Sequence, residues 1–265
     1  MSDSRKLDQF YTKKEIAKDC YLIIEKKFNL INYILLEPSA GSGSFSSLFH
    51  ENSIAFDLEP KEKRIQKQDF LLFNPEIFKN KNVFVIGNPP FGKNSSLAIK
   101  FFNKSAEFAN VIAFILPKTF KKESVINKLN DDFHLLIETE LPKNSFIFDN
   151  NDYDVPCVFQ VWERNDKKRK KIMSKRESHL LTFVKKKDAD FAIRRVGGLA
   201  GKVIIDFENY KEPSHYYIKV NTQEISKEDL IKKIRSIYTS LQKVAKYSAG
   251  NPSLSKGEFI KELEK

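Results

Sequence analysis

The residues best suited to chemistry are Gly87-Asn-Pro-Pro-Phe91. An exocyclic amine on an aromatic ring, such as N6 of adenine, is a poor nucleophile because its lone pair is delocalised into the ring. A hydrogen-bond acceptor on each N–H draws the nitrogen toward tetrahedral geometry and frees that lone pair. Asn88 can supply a side-chain oxygen for this, and Pro89 a main-chain carbonyl. Pro89 and Pro90 in succession fix the backbone, so both acceptors are in place before the reaction. Phe91 can stack on a base that has left its helix. A plain turn after a buried strand is the other reading of these residues. Gly87 to Lys93 also fits Gly-x4-Gly-Lys, but Asn94 stands where a phosphate loop needs Ser or Thr. Two of its cradle positions are prolines, which have no N–H to offer, and the phosphate-loop reading is excluded.

Upstream lies Glu37-Pro-Ser-Ala-Gly-Ser-Gly-Ser-Phe45. Gly41 and Gly43 let the backbone turn sharply and approach a ligand closely. No third glycine stands at the spacing a pyrophosphate fingerprint needs. Ala55-Phe-Asp57 then ends an apolar run, and a carboxylate at such a strand tip can accept from ribose hydroxyls. The two features together describe a cofactor that carries a nucleoside and no pyrophosphate. Gln68-Asp69-Phe70 follows a third, weaker run, where Asp69 reads either as a ligand contact or as a turn cap.

These positions need elements to hold them. Lys14 to Phe28 has apolar residues at helical spacing, with Thr12 placed to cap it and Glu15 to complete a capping box. Strands are expected at 33–37, 53–57, near 67–69, at 82–87 and at 111–116, with helices starting at Phe45 and over 97–108. Alternation of this kind predicts an α/β fold, a mostly parallel sheet with helices on both faces. His134 to Leu141 and Val155 to Glu163 read as two successive strands, hence an antiparallel pair at the sheet edge. The long loop 142–154 between them carries Phe146, Phe148 and Tyr153, which read either as base-stacking or as core residues. Four short strands and an amphipathic helix over Lys227 to Tyr247 predict a small β-rich and helical C-terminal module.

The chain has 265 residues and a net charge of +11. Between Arg164 and Lys187 there are eleven bases against two acids, a net +9, so most of the excess sits in one stretch. Phosphate contact and a solvated linker explain it equally well. A catalytic domain over 1–165 and a basic nucleic-acid-binding or target-recognition region over 166–265 are expected. Cys20 and Cys157 form no CxxC or zinc pattern, and the four histidines are far apart in sequence, so no metal is expected. With no apolar run long enough for a membrane span and no secretory h-region at the start, a cytoplasmic protein with reduced thiols is expected.

Leu36-Glu-Pro-Ser-Ala-Gly-Ser-Gly-Ser-Phe45 resembles the first cofactor motif of the adenine-N6 DNA methyltransferases, and Asn88-Pro-Pro-Phe91 resembles their catalytic motif. Asp8-Gln-Phe-Tyr-Thr12 is similar to the element that precedes them in the gamma arrangement, with Lys13 in place of the usual proline. The resemblance covers about the first 165 residues. It implies a Rossmann-like class I methyltransferase that uses S-adenosyl-L-methionine and acts as a site-specific, adenine-specific DNA methyltransferase. By that likeness Tyr11 and Thr12 form a lid, and Glu37, Ser39, Gly41 and Gly43 line the cofactor. Asp57 holds the ribose, Asp69 accepts from the cofactor's adenine, and Phe70 packs against its ring. Ile115-Leu-Pro-Lys-Thr-Phe120 resembles a segment that shapes the target pocket. DNA is the favoured partner. RNA methylation at adenine N6 or guanine N2, glutamine N5 methylation of a protein, and an inactive nucleic-acid-binding subunit remain alternatives.

Overall fold

The computed structural model describes residues 10–248 and 250–265; Asp8 and Gln9 of the leading motif lie outside them. Two compact units part between Lys171 and Ile172. In the first, seven strands form one sheet: β1 (Ile34–Glu37), β2 (Ile54–Asp57), β3 (Gln66–Lys67), β4 (Val83–Gly87), β5 (Val111–Pro117), β6 (Phe133–Glu140) and β7 (Cys157–Arg164). Their order is β3-β2-β1-β4-β5-β7-β6. The first five are mutually parallel, and β7 runs antiparallel between β5 and β6. The fold is the Rossmann-like α/β arrangement expected, with the antiparallel pair at one edge.

Period-two alternation divides the apolar side chains between two cores. Val83 and Val85 of β4, with Ile112, Phe114 and Leu116 of β5, face one core, where Ala98, Phe101 and Phe102 of α2 (Ser96–Ser105) cover them. Phe84 and Ile86, with Val111, Ala113 and Ile115, face the other. There α1 (Lys14–Glu25) buries Ile16, Ala17, Cys20, Tyr21 and Ile24 along one stripe. Strands covered on both faces read as unbroken apolar runs, which is why β4 and β5 stand out in the sequence. Both thiols are free, and burial raises their pKa.

Several local expectations are corrected. Thr12 does not cap α1: it lies in a short strand, Tyr11–Thr12, and extended Lys13, which has no acceptor, takes the cap position. The helix expected from Phe45 is a single 3-10 turn, Ser46–Leu48. The Ser47 hydroxyl bonds back to the Ser44 carbonyl, and the chain must re-enter the sheet at Ile54, so no longer helix fits. Loop 142–154 contains a hairpin of Phe146–Phe148 and Asn151–Tyr153, and Tyr11–Thr12 joins it as a third antiparallel strand. Phe146 is fully buried in the core and does not reach a base.

The second unit holds a four-stranded antiparallel sheet in the order β8 (Leu181–Val184), β11 (His215–Val220), β9 (Phe191–Arg194), β10 (Val203–Ile204). Leu181, Phe191, Ile193 and Ile218 pack against Leu230, Ile234, Leu241 and Phe259 of α3 (Lys227–Ser236), α4 (Tyr238–Ala245) and α5 (Lys256–Leu263). The single helix expected over Lys227 to Tyr247 breaks at Ile237, next to Ser236, whose hydroxyl bonds back to the Lys233 carbonyl. Among the described residues no helix is long and apolar enough to cross a membrane.

Candidate active site

A cavity of about 260 Å³ opens at the C-terminal ends of β1, β2 and β4, where a parallel sheet presents its loops. Every residue that the resemblance assigns to the cofactor or to catalysis lines it except Gly43. Gly43 acts one layer behind: at φ +77° it closes the turn, with its amide donating to the Ala40 carbonyl at 2.7 Å. Gly41 (φ +51°) is needed for two reasons, since a Cβ there would also stand 2.9 Å from the Tyr11 ring.

Three carboxylates line the cavity, and among the described residues no Lys, Arg or His does. Asp57, at the tip of β2, accepts from the Gly41 amide at 2.7 Å and the Glu59 amide at 2.8 Å, so its orientation is fixed. Asp69 accepts from the Leu71 amide at 2.9 Å and caps a 3-10 turn. Asp69 is thus a turn cap, and it also borders the cavity. Phe70 is buried and lies 5.3 Å from the Phe101 ring, which also borders the cavity. Glu37 is almost fully enclosed, and burial pushes its carboxyl up to about 8; the Ser46 amide, donating at 2.8 Å, offsets this only in part. Burial, and then the charges of Asp57 and Glu59, raise the Tyr11 phenol.

The Asn88 loop leaves β4 into the same cavity. The Ser39 hydroxyl donates to the Asn88 carbonyl at 3.2 Å and ties the loop to the glycine turn. The Asn88 Nδ2 donates to the Phe10 carbonyl at 3.2 Å. Its Oδ1 is buried and has no hydrogen-bond partner among the described residues. No described residue donates to the Pro89 carbonyl. Phe91 packs against both cores, and its carbonyl accepts from the Leu97 and Ala98 amides, so its ring is anchored. A buried acceptor without a donor costs free energy, and it persists where a ligand is expected to complete it.

Sequence reasoning assigned no role to Phe10, Leu58, Gln68 and Phe101 on the cavity wall. Phe10 and Gln68 lie inside quoted motifs and Leu58 follows Asp57, so these three were within reach of the sequence; Phe101 arrives through the packing of α2. Tyr153 is exposed and Phe148 half-buried. They form an aromatic cluster with Phe10, in which Phe10 and Tyr153 are stacked at 4.9 Å and 4°. Among the described residues no group of three His, Cys, Asp or Glu is placed to hold a metal ion.

The basic stretch divides by role. Arg164 donates to the Ala109 and Ala106 carbonyls, pairs with Asp132 and lies over the Phe133 ring. Arg169 donates to the carbonyls of Ile126, Leu129 and Phe133. These two arginines tie main-chain segments of the first unit together. Lys167, Lys170, Lys171 and Arg176 are exposed.

No family profile matches the chain. It is 30% identical to Protein ENHANCED DOWNY MILDEW 2 of Arabidopsis thaliana over 138 residues, an alignment covering 45% of this chain and 10% of that protein. The chain thus spans about a tenth of the length of that relative. A candidate RNA methyltransferase from Pyrococcus horikoshii superposes with a TM-score of 0.47 at 17% identity, over 60% of this chain and 88% of that one. A candidate class I S-adenosylmethionine-dependent methyltransferase from Listeria monocytogenes gives 0.45 at 14%, over 62% and 64%. A modification subunit of a candidate type I restriction enzyme from Vibrio vulnificus gives 0.43 at 16%, over 59% and 44%. The functional reading below rests on the cavity itself.

Proposed function

We propose that the protein is an S-adenosylmethionine-dependent methyltransferase acting on the N6 amino group of adenine in nucleic acid, with DNA the favoured substrate. The observation that carries this is the buried, unpartnered Oδ1 of Asn88. With Asp57 and Asp69 on its wall and no base among the described residues that line it, the cavity favours a ligand bearing positive charge over a phosphate-bearing one. S-adenosylmethionine, which bears a sulfonium and an ammonium, suits that charge and supplies an electrophilic methyl group when bound. Asp57 would hold its ribose, Asp69 its adenine amino group and Glu37 its cationic end, with Tyr11 and Thr12 above and Phe70 beside its ring.

The chain's own chemistry is then positioning. Asn88 Oδ1 and the Pro89 carbonyl accept the two N–H bonds of the target amine and localise its lone pair. Pro89, Pro90 and the Ser39 contact fix the main chain that carries both acceptors, so little backbone reorganisation remains at the moment of transfer. Phe91 offers its ring to the extruded base. The exposed lysines of the basic stretch are proposed to meet phosphates, with residues from 166 onward serving target recognition.

The test is transfer of labelled methyl from S-adenosylmethionine to duplex DNA, single-stranded DNA, RNA and a protein extract, with Asn88→Ala as control. N6-methyladenine in DNA that is lost in the variant supports the reading. Label confined to RNA changes the substrate, and label confined to protein overturns the nucleic-acid assignment.

A further inference from the structure

Asparagine has a side-chain amide whose two ends are nearly the same shape. Half a turn about its last torsion exchanges an acceptor for a pair of donors. The reaction proposed above uses Oδ1 alone; the reversed amide would face the target amine with N–H groups and accept nothing. Something must therefore select one orientation. Proline rings on the next two residues fix the main chain but leave that torsion free.

We propose that the main-chain carbonyl of Phe10 is the positioning group that selects it, and that the stack of Phe10 on Tyr153 holds this carbonyl in place; this rests on the reading of Asn88 given above. The carbonyl lies 3.2 Å from Nδ2, across 78 residues of chain. In the reversed orientation it would meet Oδ1, so two acceptors would oppose each other and a hydrogen bond would be lost. The observed orientation satisfies Nδ2 and leaves Oδ1 buried and unpartnered.

Phe10 is held from behind. Its ring lies parallel to Tyr153 at 4.9 Å and 5.7 Å from Phe148. The adjoining strand pairs Tyr11 with Ile147 and Thr12 with Phe146. The Lys13 amide donates to the Ser145 carbonyl at 3.1 Å, and its ammonium pairs with Asp152 at 2.7 Å. Tyr11 and Thr12 keep ties of their own to this hairpin, and the Ser44 hydroxyl donates to the Thr12 carbonyl at 2.6 Å. The stack on Tyr153 is therefore a separate restraint on Phe10, distinct from those on the lid residues. It gives the hairpin a function that neither base stacking nor core packing had explained.

The test compares Tyr153→Leu with Tyr153→Phe in the full chain. Steady-state kinetics should show kcat down roughly tenfold in Tyr153→Leu, about the worth of one hydrogen bond. The KM for the cofactor should stay within about twofold, because the ties of Tyr11 and Thr12 remain, and Tyr153→Phe should restore kcat. A second readout needs no turnover. In isotope-labelled protein the Asn88 side-chain amide, assigned by its loss in Asn88→Ala, should exchange its hydrogens slowly, and fast in Tyr153→Leu. An Asn88 amide that exchanges as freely as an exposed asparagine overturns the inference, as does a Tyr153→Leu variant with unchanged kcat. If the protein transfers no methyl group at all, the exchange measurement still decides the contact, so the two failures are distinguishable.

Discussion

The cavity and the basic stretch are opposites in charge and in construction. The cavity gathers Glu37, Asp57 and Asp69 with no lysine, arginine or histidine among the described residues of its wall, and Asp57 and Glu37 are held by short contacts from the Gly41 and Ser46 amides. The basic stretch has no regular structure from Asn165 to His179. Two of its arginines fold back onto the chain, and several of its lysines stay in solvent. The acidic groups of the cavity are enclosed or half-buried and individually placed. In the stretch the two half-buried arginines tie main-chain carbonyls, and the exposed lysines make no such contacts among the described residues. Net charge alone therefore misleads: the count of +9 mixes two kinds of residue that only burial separates.

The largest effect should come from the open side-chain acceptor of Asn88. Asn88→Ala should lower methyl transfer by about 10²–10³-fold, the usual cost of removing one preorganised polar contact to a transition state. Cofactor affinity should hardly change, since no cofactor role falls to Asn88. Equilibrium binding of S-adenosylmethionine beside single-turnover rates checks this, and a parallel loss in both would make Asn88 a cofactor residue.

Sequence legibility follows the same division. The sheet and the cavity loops were readable because β4 and β5 are apolar at every position and the glycine turn has a distinct spacing. Gly41 and Asp57, sixteen residues apart, were expected in one site and are joined by a 2.7 Å hydrogen bond. The hairpin at Phe146–Tyr153 was not readable, because its third strand is supplied by Tyr11–Thr12 from the far end of the chain. The break at Ile237 was hidden as well, since it arises from one serine bonding back in a segment with unbroken helical spacing. Arg164 and Arg169 looked like their lysine neighbours because a sequence does not show which main-chain carbonyls lie within reach.

Glu37 comes next in size. With its carboxyl raised to about 8 by burial, it is mostly protonated at neutral pH in the free protein. If it meets the cofactor's cationic end, binding should strengthen as pH rises through about 8, and Glu37→Gln should flatten that profile and weaken binding by roughly tenfold. The sign for stability is the reverse. A carboxyl raised in the folded state favours folding below its unfolded pKa, and that contribution is lost as pH rises through about 8. The ligand-free protein should thus lose stability from the acidic side toward pH 8, and Glu37→Gln should remove that part of the slope. Thermal melts across pH, with and without cofactor, test both signs.

Arg169→Ala should cost about 2–3 kcal/mol by leaving three carbonyls without their donor. For a chain of this size that lowers Tm by several degrees, at about 2–4 °C per kcal/mol. Nucleic-acid affinity of the folded fraction should keep its dependence on salt. A reduced salt slope in Arg169→Ala would return this arginine to the phosphate-binding set.

The smallest effect on the fold should come with the clearest effect on the partner. Lys170 and Lys171 are exposed and make no described ion pair. Replacing both with alanine should change stability by no more than about 0.5 kcal/mol. If each meets a duplex phosphate, log affinity plotted against log salt should become shallower by about 0.9 per lysine. Methylation of a short duplex at saturating concentration should proceed at the wild-type rate, because neither lysine borders the cavity. An unchanged salt slope would make the stretch a solvated linker, and the contrast between cavity and stretch would reduce to one between a binding site and its tether.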